Sequence, residues 1–305
     1  MLQAAASQWA RMRLDVVCLQ ETHHTGEGQS RLLQRGLNAA AKRLGTPGWV
    51  IVAESFTPNP RTAGVAILVR SDLSQVVSPV EVPLRMKPEE APPGRFLQYS
   101  FTWGGHRVHL ANIYMPTAAY AAQRKDFIRK TLTPVYAAAR EDDQLLWVGD
   151  FNFVADAGLD STAGVGGRGA DGSVANEFGT LCPGMVDTYR QLHPRRRDFS
   201  HLYRAPRPGA SRLDRLYVST CMLPYVVSST IETSTPSDHR VAVITLLPRV
   251  AKGKGPGMPR VRTHFLAYED LREQFVNWVQ AAEGGLRPGV ADQPGLLAWW
   301  PTFKR

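Results

Sequence analysis

A chain of 305 residues suffices for one large domain or two ordinary ones with a sizeable core, and at 43% apolar and 21% charged residues wholesale disorder is not expected. Lys and Arg number 36 against 27 Asp and Glu, a formal charge of +9, which permits an anionic partner such as nucleic acid without proving one. There is no run of about 18 apolar residues to span a membrane, and no basic-then-apolar layout of a secretory leader. The three widely spaced cysteines, Cys18, Cys182 and Cys221, fit neither a disulfide framework nor a CxxC zinc site, which favours a reducing, intracellular compartment.

Taken in chain order, Leu2, Ala5, Trp9 and Met12 recur at spacings of three and four and predict a helix over 2–14. The apolar run 16–19 reads as a buried strand ending at Gln20-Glu21-Thr22. A helix over 30–44 and strands at 50–52 and 64–69 follow. Residues 78–94 hold several prolines and read as a loop or sheet edge. Strands 96–103 and 107–114 flank Gly104-Gly105, a hairpin signal. Residues 119–140 are helical, divided at Pro134. The apolar run 145–148 ends in Gly149-Asp150-Phe151-Asn152. A Gly-rich loop over 155–173, a helix over 174–181, and strands 213–218 and 241–247 complete the pattern. Residues 251–258, AKGKGPGM, read as a linker, with one amphipathic helix around 269–282 beyond it. Many short strands, few helices and a hairpin point to an α+β fold over 1–249 with a separate segment at 250–305.

Polar residues gather at the ends of these apolar runs. Glu21 follows VVCL, Asp150 and Asn152 follow LLWV, Asp214 opens LDRLYV, and Asp238-His239 precedes VAVITL. Strand ends in a layered fold can bring such residues into one cleft. Carboxylates are hard ligands suited to Mg²⁺, and a histidine beside carboxylates keeps its charge near neutral pH. Singly, each has a plainer reading, since an acid after a strand is more often a turn former or a cap. Between Arg190 and Arg215 there are eight arginines against two acids, Asp198 and Asp214. Arg195, Arg196, Arg197 and Arg212 in this stretch are candidate phosphate contacts, which would make affinity salt-dependent.

Together, CLQET, NIYMP, GDFN, RLDRLYVS and SDHRVAV, in this order and spacing, resemble the endonuclease/exonuclease/phosphatase family. Within it the chain looks most like the endonuclease domain of non-LTR, LINE-type retrotransposons. The clues are GDFNFV with Leu159-Asp160 downstream, SRLDRLYVS, SDHR, and a tail similar to the connector toward a reverse transcriptase. The resemblance implies a four-layer α/β/β/α sandwich of two mixed sheets, DNase I-like, acting on DNA with Mg²⁺ and with Mn²⁺ as a substitute. It also implies roles. Glu21 is the metal ligand, and Asp238 assists the metal or orients its neighbour. Tyr114 contacts the phosphate or leaving-group side. Asp150 positions or deprotonates the attacking water, and Asn152 holds water and phosphate. His239 faces the scissile phosphate while Asp214 fixes its tautomer. Nuclear work would fit a retroelement.

The sequence departs from the family pattern in two places. The family's first strand, ending in a polar motif with an asparagine, is missing ahead of the first helix, so a truncated or decayed and inactive enzyme is one expectation. Thr117 follows Pro116 where many nucleases have Asn; its hydroxyl can still donate to a phosphate. Two other readings stand: an inositol-type phosphatase, against which the arginine-rich stretch and the connector argue, and a non-catalytic nucleic-acid-binding remnant.

Overall fold

The computed structural model describes residues 2–73, 92–117, 121–163, 169–203, 209–233, 237–247 and, further on, 269, 270, 272–274, 276 and 277. The chain divides into two units, Met1–Val250 and Ala251–Arg305. In the second, the described residues are helical. The linker expected at 251–258 and most of the connector lie outside the described residues, as does most of the loop or edge expected at 78–94.

The first unit is a stack of four layers. Strands β1 (Val16–Gln20), β2 (Trp49–Ser55) and β3 (Val65–Arg70) form an antiparallel sheet in the order β1-β3-β2. Strands β4 (Phe96–Trp103), β5 (His106–Tyr114), β6 (Gln144–Asp150), β7 (Met185–Asp187) and β10 (Asp214–Ser219) form a second, in the order β4-β5-β6-β10-β7. Only β5 and β6 run parallel, joined by a helical crossover; the other pairs are antiparallel. Two smaller pairs complete the list, β8 (His201–Tyr203) with β9 (Gly209–Ser211) and β11 (Val226–Glu232) with β12 (Val241–Leu246). Among the described residues, β1 and β12 each hydrogen-bond to a single neighbouring strand.

Period-two alternation builds the layers. Leu146 and Val148 of β6 turn toward the three-stranded sheet, meeting Ile67, Val16 and Cys18, while Leu145 and Trp147 turn outward. There they meet α3 (Ala121–Phe127), α4 (Thr133–Ala138) and α5 (Gly169–Leu181) through Phe127, Val135 and Phe178. On the opposite side Val17 and Leu68 face α1 (Leu2–Arg11) and α2 (Glu27–Leu44), where Trp9 meets Trp49 edge-on at 5.5 Å. The result is the expected α/β/β/α sandwich, an α+β fold.

Several local expectations are corrected. The helix over 119–140 is interrupted by a wide π turn at Ile128–Leu132 just before Pro134, which lacks the N–H needed to hold the preceding turn. Helix α5 starts at Gly169, inside the stretch read as loop, because Asp171 is drawn into the interior as the partner of buried Arg124 at 2.9 Å. The first helix stops at Arg11, before the left-handed Arg13. Strands β7, β8, β9 and β11, and helix α6 (Thr188–Leu192), had no hydrophobic signature long enough to announce them.

Candidate active site

Three adjacent strands carry one residue each into a single row. Tyr114 ends β5, Asp150 ends β6 beside it, and Asp214 opens antiparallel β10 opposite Asp150. Gly149 permits this: its φ is 134°, and an added Cβ would lie 1.9 Å from the Ile113 carbonyl oxygen. Beyond the strand, Asn152 turns left-handed (φ 50°) and folds back on Asp150, with its backbone N–H donating to Oδ1 at 2.9 Å and its amide to Oδ2 at 2.8 Å. The same amide donates to the Met115 carbonyl at 3.0 Å. The turn is held from outside: Arg124 donates to the Asn152 carbonyl, Arg215 to that of Phe153 at 3.2 Å, and Phe151 N–H to that of Leu213 at 3.0 Å.

Glu21 leaves the end of β1 in a left-handed conformation (φ 55°), unusual for a side-chain-bearing residue. Thr22 and His23 then donate to the carbonyls of Gly64 and Ala63, so the bend is fixed by backbone bonds. It presents the exposed Glu21 carboxylate to Tyr114, whose hydroxyl donates to it. Glu21, Tyr114 and Thr117 line a cleft of about 290 Å³, with Arg61, Arg95 and His23 among its other walls. The Arg95 guanidinium sits 5.0 Å over the Tyr114 ring.

His239 closes the row. Its Nδ1–H donates to Asp214 Oδ2 at 2.8 Å. Ser200 ties the two together, since its hydroxyl accepts the N–H of Leu213 and of Asp214 at 3.0 and 2.9 Å and its carbonyl accepts that of Arg240. Asp238 is exposed, with its carboxylate 3.8 Å from His201 and its carbonyl accepting the Leu202 N–H.

The charges are set against one another. Burial first, then the charges of Asp214 and Glu21, push the Asp150 carboxyl up to about 7 although His239 opposes the shift. Burial acts to lower His239, but the Asp214 hydrogen bond and charge, with Asp150 and Asp238 adding, raise it to about 9. Burial and the Glu21 carboxylate likewise raise the Tyr114 phenol. A buried acid near neutrality beside a charged imidazole is the signature of a site tuned for proton transfer.

The family's Mg²⁺ fits the donor set at Glu21. That carboxylate is exposed and hard, and the excess negative charge that raises Asp150 is what a nearby divalent cation would relieve. Magnesium needs only one or two carboxylates, with water and phosphate oxygens completing its shell.

The expectation for Arg212 is corrected. It is 1% exposed, and its guanidinium is bound to Asp160 (2.9 Å) and Asp187 (2.8 Å), so it serves the core and has no face for DNA. Arg215 joins the same two acids from β10 and Arg190 reaches Asp160. Arg195, Arg196 and Arg197 are exposed; Arg196 lies 2.8 Å from Asp198 and Arg197 donates to the Ser161 carbonyl. Sequence reasoning passed over Asn112, Arg124 and Ser200. Asn112 is fully buried within NIYMP and ties the sheets by donating to the carbonyls of Leu19 and Ala66 and accepting from Gln20. An asparagine inside an apolar strand was the signal available for it.

A row of acids, an amide and an imidazole at the strand ends of a two-sheet sandwich is the architecture of a phosphoesterase fold. Residues 2–239 match the endonuclease/exonuclease/phosphatase family, and the chain belongs to it. It is 29% identical over 214 residues to a Xenopus laevis transposon TX1 uncharacterized 149 kDa protein, a match over 70% of this chain but 15% of that protein. Among solved structures it is similar to an AP endonuclease from Archaeoglobus fulgidus, with a TM-score of 0.63 at 17% identity covering 80% of this chain and 93% of that one. An AP endonuclease from Leishmania major gives 0.59 at 18% identity over 78% and 80% of the two chains. A 3'-5' exonuclease from Neisseria meningitidis gives 0.55 at 18% over 80% and 94%. Among the described residues, no helix is long and apolar enough to cross a membrane.

Proposed function

We propose that this chain is a divalent-metal-dependent endonuclease of the retrotransposon type that nicks DNA. The observation that carries the reading is the hydrogen-bonded row Asn152–Asp150 beside Asp214–His239, with Glu21 and its cleft next to it. Asp150 takes a proton from the attacking water while the Asn152 amide, donating to Asp150 Oδ2, holds that carboxylate in place. The water oxygen bonds to phosphorus as the ester P–O bond breaks. His239, charged at neutral pH, donates a hydrogen bond to the oxygen on which charge develops, and Asp214 keeps its ring in the required tautomer. Glu21 would hold a divalent cation, which when bound would supply neutralisation of the phosphate charge. Tyr114 orients Glu21 and faces the same cleft.

Exposed Arg195, Arg196 and Arg197, together with the net charge, support DNA as the substrate, and the position of Thr117 on the cleft wall supports a phosphate contact by its hydroxyl. The transposon relative, of which the match covers 15%, supports a place in a larger element; the reverse transcriptase beside it is part of the proposal. A supercoiled plasmid is incubated with Mg²⁺, with Mn²⁺ and with chelator, and inositol phosphates are assayed for phosphate release. Metal-dependent nicking is the expected result. Phosphate release without nicking would make the protein a phosphatase. Salt-sensitive DNA binding without cutting under either metal would make it a binding remnant.

A further inference from the structure

The segment Ser200–His201–Leu202 lies against the loop that carries Asp238 and His239. Leu202 N–H donates to the Asp238 carbonyl at 3.0 Å, Arg240 N–H to that of Ser200 at 2.6 Å, and His201 and His239 are bridge partners. The two imidazoles stand 4.4 Å apart, and His201 Nε2 is 3.8 Å from Asp238 Oδ2. One ligand atom each from His201, Asp238 and His239 lies within 4.8 Å of the other two, which no other group of three histidine, cysteine or acidic residues achieves among the described residues.

We propose that His201, Asp238 and His239 form a second metal site, specific for a borderline cation such as Zn²⁺, whose occupation blocks the use of His239 on phosphate.

Three features support it. The donor set is two imidazoles and a carboxylate, which suits zinc and its neighbours far better than Mg²⁺, whose preferred ligands are oxygens. Closing the set is a small movement. Ligands about 2.0–2.1 Å from zinc sit roughly 3.3 Å from one another, and the Asp238 side chain, 53% exposed, is free to swing inward. Finally, the orienting contact is already built. His239 commits Nδ1 to Asp214 at 2.8 Å, leaving Nε2 for the metal, which is the carboxylate–histidine–metal relay of established zinc centres. The site is separate from the Glu21 cleft, to which none of its three residues contributes a wall.

The binding itself is independent of the function proposed above; the blocking effect rests on it, because it assumes that His239 acts on phosphate. The two are tested separately. The 305-residue chain at pH 8 is titrated with Zn²⁺ against a fluorescent chelator, and with Co²⁺ while its visible absorption is followed. One equivalent should bind with a cobalt spectrum of mixed nitrogen and oxygen ligation. His201→Phe, which keeps a ring against His239 and Tyr203, should weaken binding by about tenfold or more, and His201→Gln should do the same with an unchanged melting temperature. Saturable binding that neither variant alters, or no binding, overturns the site. In plasmid nicking with excess Mg²⁺, zinc should inhibit the wild type, and about tenfold more zinc should be needed for His201→Phe. Equal inhibition of both overturns the blocking role. If the wild type does not nick, the function reading fails, and the cobalt and chelator titrations still decide the site.

Discussion

Asp150 and Asp214 stand directly opposite each other on neighbouring antiparallel strands, and only one of them holds a histidine. Like charges facing each other across a sheet are unfavourable. The conflict is resolved unequally: Asp214 shares its charge with His239, whereas Asp150 is buried and pushed up to about 7. One register thereby leaves Asp150 near neutrality and gives Asp214 the His239 imidazole as its partner.

A pH profile follows. Nicking should rise as pH increases through about 7, where Asp150 loses its proton, and fall through about 9, where His239 loses its own. The rate measured from pH 5 to 10 at saturating Mg²⁺ checks this; the metal's charge should draw the lower limb further down. A profile flat across both limbs would remove Asp150 and His239 from these roles.

Removing the partner should move the upper limb more than the lower. In Asp214→Asn, His239 loses the hydrogen bond and charge that raise it, so the upper limb should retreat from about 9 toward the free-imidazole value of about 6.5. The lower limb should move less and in the acid direction, since Asp214 also raises Asp150. NMR titration of the His239 ring gives the same shift without catalysis.

Glu21→Gln should lower nicking by about a thousandfold or more, the several kcal/mol expected of metal charge stabilisation. It should leave the melting temperature unchanged, because a Gln oxygen still accepts the Tyr114 hydroxyl and the residue is exposed. Titration calorimetry with Mg²⁺ should show the loss directly.

The buried Asp160 should matter for stability rather than chemistry. Burial alone would raise its carboxyl, but Arg215 and Arg212 outweigh that and hold it far below the usual range. Its contribution is therefore present above about pH 4 and is lost as pH falls through its depressed value. Asp160→Asn leaves two buried guanidinium groups short of a partner and should cost about 3–5 kcal/mol in urea unfolding at pH 7.

Replacing Arg195, Arg196 and Arg197 with Ala should reduce the dependence of log affinity on log salt for duplex DNA by about 0.9 for each phosphate contact removed. An unchanged slope would return these arginines to a solvated loop.

The sequence by itself determined where the buried strands run and which polar residues end them, while the four layers came from the resemblance its motifs carry. Uninterrupted apolar runs such as LLWV and VVCL pointed to strands buried on both faces, and the polar residues just past them stand at strand ends, as Glu21, Asp150 and Asn152 do. Short elements such as β8 and β9 were illegible because a few residues carry no period, and their pairing is imposed by neighbours. Charge was the other blind spot. Arg196 and Arg212 read alike in one basic stretch, yet one is exposed and the other is sealed between Asp160 and Asp187. Only the fold decides which arginine meets water, because burial of a charge depends on partners brought from distant positions. The same holds for His201, an ordinary residue in the chain, which tertiary packing sets beside Asp238 and His239.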